Sequence, residues 1–450
     1  MVEKYKAYPE YKDSGVKWLG KIPSNWSVIP LKRYFSIING STPKSGNDNF
    51  WNGDIIWITP SDLSKLTSFD IINSTRKITK SGLASCGTSI VPINSIILSC
   101  RAPIGSIGLA KVELCTNQGC KSLVPFQDCS SYFYAYVLSI CTDELNAKGK
   151  GTTFLELSND ELGYFSLPKP TIKEQRNIVI FLDYETYKID TLIKQQQQLI
   201  KLLEEKRQAV ISHAVTKGLN PNVSMKDSGV AWLGAVNNNC EVLPIKYIVS
   251  TPVTDGPHET PKFLDEGIPF ISAEAIDNGH INFEKIRGYI SFNEHKKYSK
   301  KYKPQKEDIY IVKSGATTGK IAKVNTDKDF NIWSPLAAIR CCSTKIISDF
   351  AYFYFQSKEF QTAIELNWSY GTQQNIGMAV IQNLKINIPK IREQKQIIDF
   401  LNKETSSLNQ LIVKANKVIA LLKERRKALI SAAVTGKIDV RNWQAPTVTD

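Results

Sequence analysis

The chain has 450 residues, of which 42% are hydrophobic and 10% aromatic, so it can bury several cores and a globally disordered protein is excluded. Its 57 lysines and arginines against 43 aspartates and glutamates give a net charge of +14, which favours a polyanionic partner such as nucleic acid. At about 100–200 residues per domain, this length predicts two to four domains.

The amino-terminal residues and the cysteines indicate the compartment. Residues 1–10 lack the apolar segment of a secretory signal, and no apolar run reaches the ~20 residues that cross a bilayer. The nine cysteines are an odd number without a CxxC pair, and no histidine lies near Cys115, Cys120 and Cys129. We therefore expect free thiols, no metal site, no membrane contact and a cytoplasmic protein.

The chain begins with a motif that returns later. Asp13–Gly20 reads DSGVKWLG and Asp227–Gly234 reads DSGVAWLG, an offset of 214 residues. Leu202–Thr216 and Leu421–Thr435 form a second matching pair, in the same order and at an offset of 219 residues. Two ordered matches around a divergent middle predict a tandem duplication.

Each copy opens with a turn-rich globular segment. Short β-type runs over Asp54–Ile58, Ser95–Ser99 and Asp308–Val312 predict strands in it. The middles of the two copies, residues 40–150 and 250–370, differ strongly, although the flanking motifs match. Two copies with matching flanking motifs but dissimilar globules predict a protein that binds two different targets at a fixed distance from each other.

A long helical segment follows each globule. In the first copy Thr171 and Glu174 have the spacing of a capping box directly after a proline, whereas in the second copy a lysine follows the proline. Neither segment contains a glycine or proline until Gly218 and Gly436, which are the predicted helix stops. Each helix of about 45 residues would be ~65 Å long.

Apolar residues recur at heptad spacing along both segments, which predicts an antiparallel coiled coil. The predicted seam residues are Leu182, Ile189, Leu192, Leu199 and Leu203 in the first helix and Leu401, Leu408, Leu411, Val418 and Leu422 in the second. Polar exceptions recur in both copies, Glu185 with Glu404 and Lys206 with Arg425. These charged residues either pair across the helix–helix seam and fix its register, or they bury their aliphatic carbons and keep their charged groups in solvent.

The order of globule, helix, globule and helix predicts an α+β protein. Two mixed α/β globules would be joined by two long antiparallel coiled-coil helices and related by a pseudo-two-fold axis from the tandem duplication. We expect a first globular domain over 1–170, a central helix over 171–217, a second globular domain over 218–389, a second helix over 390–436 and a tail over 437–450. Antiparallel helices would place the globules at opposite ends of a rod, as in a caliper.

Motifs of catalysis are missing from the sequence. Gly315–Lys320 reads GATTGK, but it is one residue short of a phosphate loop, and Ile321 replaces the hydroxyl that would bind magnesium. The usual signature for methylating the exocyclic amine of a base is absent. His213 aligns with Ala432 in the repeat, which excludes a symmetric histidine site. We therefore expect no catalytic residue, no metal site and no cofactor in this chain.

Basic and polar residues on the predicted loops are candidates for DNA contacts. Lysines neutralise phosphates, and Arg, Lys, Gln and Asn make bidentate contacts with purine edges. The candidates are Lys44, Arg101, Lys150, Thr152 and Thr153 in the first copy and Lys262, Lys297, Lys313, Thr317, Thr318, Lys320, Gln373 and Gln374 in the second. The alternative is that the lysine-rich run over 295–306 is a solvated surface and that the other residues cap turns.

Several short motifs, taken in order, are similar to those of one known family. They are Asp13–Gly20, Ser99–Gly105 (SCRAPIG), Asn117–Gly119 (NQG) and Gly315–Lys320, together with the proline-led start of each helix. Over nearly its whole length the chain resembles the specificity subunit of type I restriction–modification systems. The second copy departs from the first because it lacks the Asn-Gln-Gly phrase.

The resemblance implies that each globule is a target-recognition domain that reads one half of a split double-stranded DNA sequence through the major groove. The helices would set the spacer and dock two methyltransferase subunits, which carry S-adenosylmethionine and the adenine chemistry. Motor-nuclease subunits, with ATP and Mg²⁺, can join that core. This chain would then be a non-catalytic subunit without a cofactor of its own.

Two alternatives come from other classes of protein. One is a self-contained DNA methyltransferase, against which the missing cofactor and catalytic motifs count. The other is a coiled-coil scaffold whose globular heads bind proteins, for which the charge of +14 has no role.

Overall fold

The computed structural model describes residues 5–101, 103–126, 129–150, 155–370 and 374–446. The chain folds into two compact units: unit 1 comprises Met1–Gln196 and Val418–Asp450, and unit 2 comprises Gln197–Lys417. Each unit therefore contains one globular segment and parts of both long helices. The boundaries predicted from sequence instead separate each globule from its helix.

The described residues of unit 1 form short strands and helices followed by one long helix. The strands are β1 (Tyr11–Asp13), β2 (Lys21–Pro23), β3 (Ser27–Pro30), β4 (Phe35–Asn39), β5 (Trp51–Ile58), β6 (Asp70–Ile71), β7 (Arg76–Ile78), β8 (Ile96–Ser99), β9 (Ile107–Ala110), β10 (Cys115–Thr116), β11 (Cys120–Pro125) and β12 (Ser166–Lys169). The helices are α1 (Pro60–Ser64), α2 (Lys80–Ala84), α3 (Ser131–Ser139), α4 (Thr142–Lys148), α5 (Asn159–Gly163) and α6 (Ile172–Lys217), whose last part belongs to unit 2.

The described residues of unit 2 repeat this plan. The strands are β13 (Met225–Asp227), β14 (Ala235–Asn237), β15 (Glu241–Pro244), β16 (Thr254–Asp255), β17 (Ile268–Ile271), β18 (Ile276–Asp277), β19 (His280–Ile281), β20 (Gly288–Ile290), β21 (Ile309–Val312), β22 (Ile321–Lys323), β23 (Asn331–Ile332), β24 (Leu336–Ile339), β25 (Ser369–Tyr370), β26 (Gln374–Asn375) and β27 (Lys385–Ile388). The helices are α7 (Phe292–Ser299), α8 (Ser348–Gln356), α9 (Lys358–Asn367), α10 (Met378–Asn383) and α11 (Ile391–Val434), whose last part belongs to unit 1.

The main sheets of the two units share the order of four strands, and unit 1 has a fifth strand at the edge. The order in unit 1 is β4-β11-β8-β9-β6, and the order in unit 2 is β16-β24-β21-β22. Asn39 pairs with Lys121 across β4 and β11, and Asp255 pairs with Ala337 across β16 and β24. A parallel pair accompanies each sheet, β5 with β10 and β17 with β23. The predicted tandem duplication is therefore confirmed in the topology.

The central strands of each main sheet are apolar because both faces are covered. All four residues of β8 and all four of β21 are buried. In unit 1 the sheet packs with α3, whose Phe133 and Tyr134 are fully buried. In unit 2 the corresponding helix α8 contributes Phe350 and Tyr354 to the same cluster as β21. The loops at the ends of each main sheet are therefore attached to well-packed strands.

The long helices begin and end where the sequence predicts. The backbone N–H of Thr171 donates to Oε2 of Glu174 at 3.0 Å, and the N–H of Glu174 donates to Oγ1 of Thr171 at 3.3 Å, so the capping box forms. Gly218 and Gly436 have φ angles of 80° and 73°, a left-handed conformation that ends a helix and favours glycine.

Within each unit the two long helices run antiparallel. In unit 1 the side chain of Asn177, near the start of α6, donates to the carbonyl of Arg441, just beyond α11, at 3.0 Å. In unit 2 Ile211, near the end of α6, lies in one buried cluster with Ile397 and Leu401, near the start of α11. The predicted α+β fold with long antiparallel helices is therefore confirmed.

The predicted seam residues divide into two groups. Buried or nearly buried residues are Leu182, Ile189, Leu203, Leu401 and Leu408, and Leu422 is half-buried. The other four, Leu192, Leu199, Leu411 and Val418, are 40–46% exposed. The four exposed residues lie in the middle part of the two helices.

The polar exceptions of the heptads do not pair as one hypothesis required. Among the described residues no ion pair joins Glu185 to Arg425, and the buried Glu185 lies beside Tyr5 instead. Lys206 is exposed, as a solvated head would be. The ion pair between α6 and α11 in unit 1 is formed by Asp190 and Arg426.

The segment that follows α11 belongs to the core of unit 1. Ile438 and Val440 are buried, and the ring of Trp443 packs edge-on against Phe181 of α6. The N–H of Asp439 donates to the carbonyl of Lys6 at 2.7 Å. The residues predicted as a tail therefore tie the two ends of the chain together within one unit. None of the helices in the described ranges has a stretch apolar enough to cross a membrane.

Candidate nucleic-acid interface

The loops at one end of each main sheet share a backbone hydrogen-bond frame. In unit 1 the N–H of Cys100 donates to the carbonyl of Gly119 at 2.8 Å. In unit 2 the N–H of Lys313 donates to the carbonyl of Pro335, also at 2.8 Å. These bonds join the loop after β8 or β21 to the loop before β11 or β24, and they make Cys100 and Lys313 structurally equivalent.

A second bond of the frame explains the missing Asn-Gln-Gly phrase. The N–H of Asn117 donates to the carbonyl of Ile58 at 2.9 Å in unit 1, and the N–H of Trp333 donates to that of Ile271 at 2.8 Å in unit 2. Residues 333–335 (Trp-Ser-Pro) therefore stand where unit 1 has Asn-Gln-Gly. The second copy keeps the backbone frame with different side chains.

A glycine holds the adjacent loop close to this frame in each unit. A Cβ on Gly40 would lie 2.0 Å from the carbonyl oxygen of Asn117, and a Cβ on Gly256 would lie 1.9 Å from that of Ile332. Only glycine allows such an approach of two backbones. Asn39 and Asp255, the residues before these glycines, therefore occupy one equivalent place beneath the loops.

Lys44 lies on an exposed loop of unit 1 that tryptophans support. The indole Nε1 of Trp51 donates to the carbonyl of Lys44 at 3.3 Å, and the guanidinium of Arg76 stacks 3.6 Å from the centre of the Trp51 ring. Thr42 is hydrogen-bonded to the exposed Gln118. Sequence reasoning missed Arg76 and Gln118, because their neighbours come from strands distant in sequence.

Arg101 and Lys150 come together at another loop of unit 1. Both form backbone bridges with Glu156, and Nη2 of Arg101 pairs with its carboxylate at 3.0 Å. Lys150 Nζ pairs with Glu161 at 2.7 Å. Each predicted phosphate contact is therefore already paired with an acid, and the lysine side chain is the more exposed of the two. The predicted residues Thr152, Thr153 and Gln373 lie outside the described residues.

The glycine-rich segment of unit 2 is a hairpin loop. Gly315–Lys320 connects β21 to the antiparallel β22, whereas a phosphate loop leads from a strand into a helix. The N–H of Gly315 donates to the carbonyl of Gln374 at 3.0 Å, and Oγ1 of Thr318 donates to the same carbonyl at 3.3 Å. The structure thus brings together Thr317, Thr318 and Gln374, and it leaves the side chains of Gln374 and Lys320 exposed.

Lys313 is nearly buried, and it belongs to a cluster of charges around Asp255. The Asp255 carboxylate receives Lys301 Nζ at 2.6 Å, Lys313 Nζ at 3.1 Å and His258 Nε2 at 3.2 Å. Although burial opposes it, hydrogen bonds from Lys301 and Lys313 hold the pKa of this carboxyl below its usual value. An ionised carboxylate therefore lies beneath the loops of unit 2 that carry Lys313 and Pro335.

Two further predicted lysines lie beside this cluster. Lys297 Nζ pairs with Glu259 at 2.6 Å, and both side chains line a cavity of about 230 Å³ together with Asp255. Lys262 is exposed on the same loop, and its backbone N–H donates to Glu294 at 3.3 Å. The lysine-rich stretch is thus partly neutralised by acids of the preceding loop.

Unit 1 also has a lysine ammonium at this place, but the lysine comes from a different strand. Nζ of Lys121, on β11, donates to Oδ1 of Asn39 at 2.8 Å, and the side chain is nearly buried. In unit 2 Ala337 stands at the Lys121 position and Lys313 stands at the Cys100 position. The lysine has changed strand between the copies, but each ammonium meets the residue before the close-packed glycine. In the sequence, the phrases Ile-Asn-Gly over 38–40 and Thr-Asp-Gly over 254–256 indicate that Asn39 and Asp255 are equivalent.

Comparison with known proteins identifies the family. Residues 23–202 and 257–420 match the model described as the type I restriction modification DNA specificity domain. The chain belongs to this family. The two matched ranges cover most of each globular segment and the first part of each long helix, and the predicted resemblance is therefore confirmed.

Individual relatives and one solved structure agree. The chain is 33% identical over 204 residues to the type I restriction enzyme MjaIX specificity subunit of Methanocaldococcus jannaschii, a match that covers 45% of this chain and 46% of that one. It is 22% identical over 440 residues to the MjaVIII specificity subunit of the same organism, covering 96% and 98%. A solved chain from a study of complex assembly and conformational transition of the type I R-M system has 17% identity and a TM-score of 0.67, covering 92% and 98%.

Membership in the type I specificity family decides between the predicted classes. Chains of this family supply DNA specificity and are not the catalytic subunits of their systems. The prediction of a non-catalytic DNA-recognition chain is therefore confirmed, and the self-contained methyltransferase is excluded. The solved neighbour shows the fold.

Proposed function

We propose that this chain is the specificity subunit of a type I restriction–modification complex and that each unit reads one half of a bipartite DNA target. Reading occurs at the loops around the Cys100–Gly119 bond in unit 1 and the Lys313–Pro335 bond in unit 2. The observation that carries this proposal is one backbone frame with different side chains. Asn39, Cys100, Asn117 and Gln118 stand where Asp255, Lys313, Trp333 and Ser334 stand in the other copy.

The side chains at these loops suit groove reading. The exposed amides of Gln118 and Gln374 present both a donor and an acceptor, which is the pattern that adenine edges require. Exposed lysines such as Lys44, Lys262 and Lys320 supply phosphate contacts, which position a protein on DNA without reading its sequence. The long helices would then fix the number of unread base pairs between the two halves.

The long helices also offer two equivalent docking surfaces for methyltransferase subunits. Exposed apolar side chains occur in repeat-related pairs at an offset of 219 residues: Leu192 with Leu411, Leu199 with Val418, and Leu202 with Leu421. Unit 1 holds Leu192, Val418 and Leu421, and unit 2 holds the equivalent Leu411, Leu199 and Leu202. Apolar residues that stay exposed in both copies favour a protein partner, bound once per unit.

The chemistry would then belong to the partners. We expect S-adenosylmethionine and adenine methylation in two methyltransferase subunits, and ATP and Mg²⁺ in motor-nuclease subunits where these join. This chain would need no cofactor of its own and would act in the cytoplasm, where its DNA target is.

Single substitutions at equivalent loop positions test the reading model. The chain is expressed with its methyltransferase subunits, and the methylated sequence is read from the genome of the host cell. Gln118→Ala should relax one half-site only, and the matched Ser334→Ala should relax only the other half-site. The unaffected half-site is the internal control in each case. A substitution that changes both halves, or a wild-type complex without sequence preference, would contradict the proposal.

A further inference from the structure

Three side chains meet the Asp255 carboxylate, and they differ in how far they reach from the interior to the surface. The side chain of Lys313 is 11% exposed, that of Lys301 is 52% exposed and that of His258 is 71% exposed, and all three meet one carboxylate that is itself buried. Lys313 alone would neutralise the carboxylate. Asp255 thus holds two further groups, the ammonium of Lys301 and the imidazole of His258, that extend to the loop surface.

The equivalent place in unit 1 shows what a buried lysine alone needs. There the ammonium of Lys121 is held by the neutral amides of Asn39 and Asn159, at 2.8 and 2.5 Å. This fold therefore accepts an asparagine against the ammonium at this site. In unit 2 the residue at this place meets two outer groups, Lys301 and His258, in addition to the lysine ammonium.

We propose that Asp255 is a positioning residue for DNA reading in unit 2. Asp255 holds Lys301 and His258 at defined places on the loop surface and so limits their non-specific contacts with DNA phosphates. The inference rests on the proposed function of these loops. Asp255 acts indirectly, through the side chains that it holds. Its own carboxylate is buried and negatively charged, so the DNA phosphates would repel it.

The physical basis is the difference between a fixed and a free cation. A lysine on a flexible stem can contact any nearby phosphate, and such contacts add affinity for all sequences equally. A cation held by a carboxylate can act only where that carboxylate places it. The cluster also keeps a net positive charge when two ammonium groups share one carboxylate, so it still attracts DNA.

Asp255→Asn is the direct test, because it reproduces the arrangement of Asn39 in unit 1. Lys313 and His258 both face Oδ2 of Asp255, whereas Lys301 faces Oδ1. An amide whose oxygen takes the Oδ2 place therefore keeps an acceptor for Lys313 and His258 and presents an NH2 group to Lys301, which loses its carboxylate partner. Binding is measured with the assembled complex on duplexes that carry the target defined by the methylated sequence of the wild type. Discrimination against mismatches in the half-site read by unit 2 should fall about tenfold. Discrimination in the other half-site should not change.

The salt dependence of the same variant separates this role from a structural one. The freed ammonium of Lys301 can neutralise a phosphate, so the slope of log K against log salt on non-target DNA should become steeper by about 0.9 for each additional phosphate neutralised. A variant that merely unfolds loses specific and non-specific binding together. Asp329→Asn is the matched control, because it removes the same charge from a surface pair with Lys303 at 2.8 Å. It should leave discrimination unchanged.

A second variant keeps the test decisive if Asp255→Asn does not fold. Lys301→Gln alters a half-exposed side chain, and it should lower discrimination in the same half-site without steepening the salt dependence. Unchanged discrimination in Lys301→Gln, or in a folded Asp255→Asn, overturns the inference even if the wild type reads both half-sites. A wild type that reads no bipartite target overturns the proposed function itself.

Discussion

Arg426 donates through its Nε–H to both carboxylate oxygens of Asp190, at 2.9 and 3.2 Å, and so joins α11 to α6 in unit 1. The repeat places Arg207 at the Arg426 position of unit 2, but Asn409 stands at the Asp190 position. Arg207 bonds Gln356 at 3.3 Å instead, and its buried Nε has no hydrogen-bond partner among the described residues. The second copy therefore has the equivalent arginine, Arg207, but not the aspartate that pairs with it in the first copy.

Asn409→Asp should restore this ion pair in unit 2. The new carboxylate would accept from the unpartnered Nε of Arg207, and we expect a gain of about 0.2–1 kcal/mol, the usual worth of a partly exposed pair. Urea unfolding of the full chain measures it. The matched Asp190→Asn should destabilise unit 1 by a similar amount. An Asn409→Asp chain no more stable than the wild type would show that the repeat equivalence does not extend to this contact.

Asp308→Asn should be the more damaging change. The buried Asp308 carboxylate receives Nε and Nη2 of Arg340, both at 2.7 Å, and the hydroxyl of Tyr302 at 2.6 Å. Removing its charge leaves a guanidinium without its acid, for which we expect a loss of about 3–5 kcal/mol. Asp327→Asn, in an exposed pair with Lys306, should stay within about 0.5 kcal/mol. Equal effects of the two variants in thermal unfolding would refute the assignment.

Gln394→Ala should loosen unit 2 at the start of α11. The fully buried amide accepts from the N–H of Ile347 at 2.8 Å and donates to the carbonyls of Pro389 and Lys345 at 2.9 and 3.0 Å. Gln175 makes the equivalent bonds in unit 1. Truncation leaves buried backbone groups unsatisfied at a cost of about 1–3 kcal/mol. Hydrogen exchange should show faster exchange at Ile347, and unchanged exchange there would contradict this role.

Protonation of Glu174 should lower the stability of unit 1 in acid. Burial opposes ionisation of Glu174, but bonds from Thr171, Asn25 and Trp26 hold its pKa below the usual value. A folded-state pKa below the unfolded one adds stability that is present above the unfolded pKa of about 4.3 and is lost as pH falls through the folded value. The melting temperature should be flat between about pH 7 and 5.5 and should decline below about pH 4. Glu174→Gln should reduce that decline, and an identical profile would count against it.

The exposed apolar pairs on the long helices predict partner stoichiometry. Leu421→Ser in unit 1 and Leu202→Ser in unit 2 should each remove one methyltransferase subunit, and the double variant should remove both, because a polar side chain forfeits the apolar contact. Native mass spectrometry counts the subunits. Ile72→Ser changes an apolar side chain that is exposed on the globule of unit 1, and it should keep two. Two bound subunits in the double variant would disprove these docking sites.

Periodic and repeated features could be predicted from the sequence. The long helices extend over Ile172–Lys217 and Ile391–Val434, against predictions of 171–217 and 390–436, because the heptads and the terminal glycines are local signals. The duplication was also visible, since Asp13–Gly20 returns almost unchanged. Features of this kind need no knowledge of which strands pair.

The charge clusters could not be predicted in the same way. Asp255 meets Lys313 only because β16 lies beside β24 and β24 beside β21, a pairing that no local pattern encodes. It meets Lys301 because the segment after α7 packs beside β16, which is also a contact between distant parts of the sequence. The exchange of Lys121 for Lys313 between neighbouring strands hides the equivalence from any residue-by-residue alignment of the copies. Burial likewise decided that Lys313 faces a carboxylate inside the unit, although its sequence context is that of a loop lysine.

Unit 1 is built from two stretches of chain with the whole of unit 2 between them. Leu429, Ile430 and Val440, which help to close its core, leave the ribosome after every residue of unit 2. Because domains fold as their residues emerge, unit 2 can complete its core during synthesis while unit 1 waits with its apolar surface open. A chain that terminates directly after residue 417 would therefore contain one complete unit and one unit with an open, aggregation-prone apolar core.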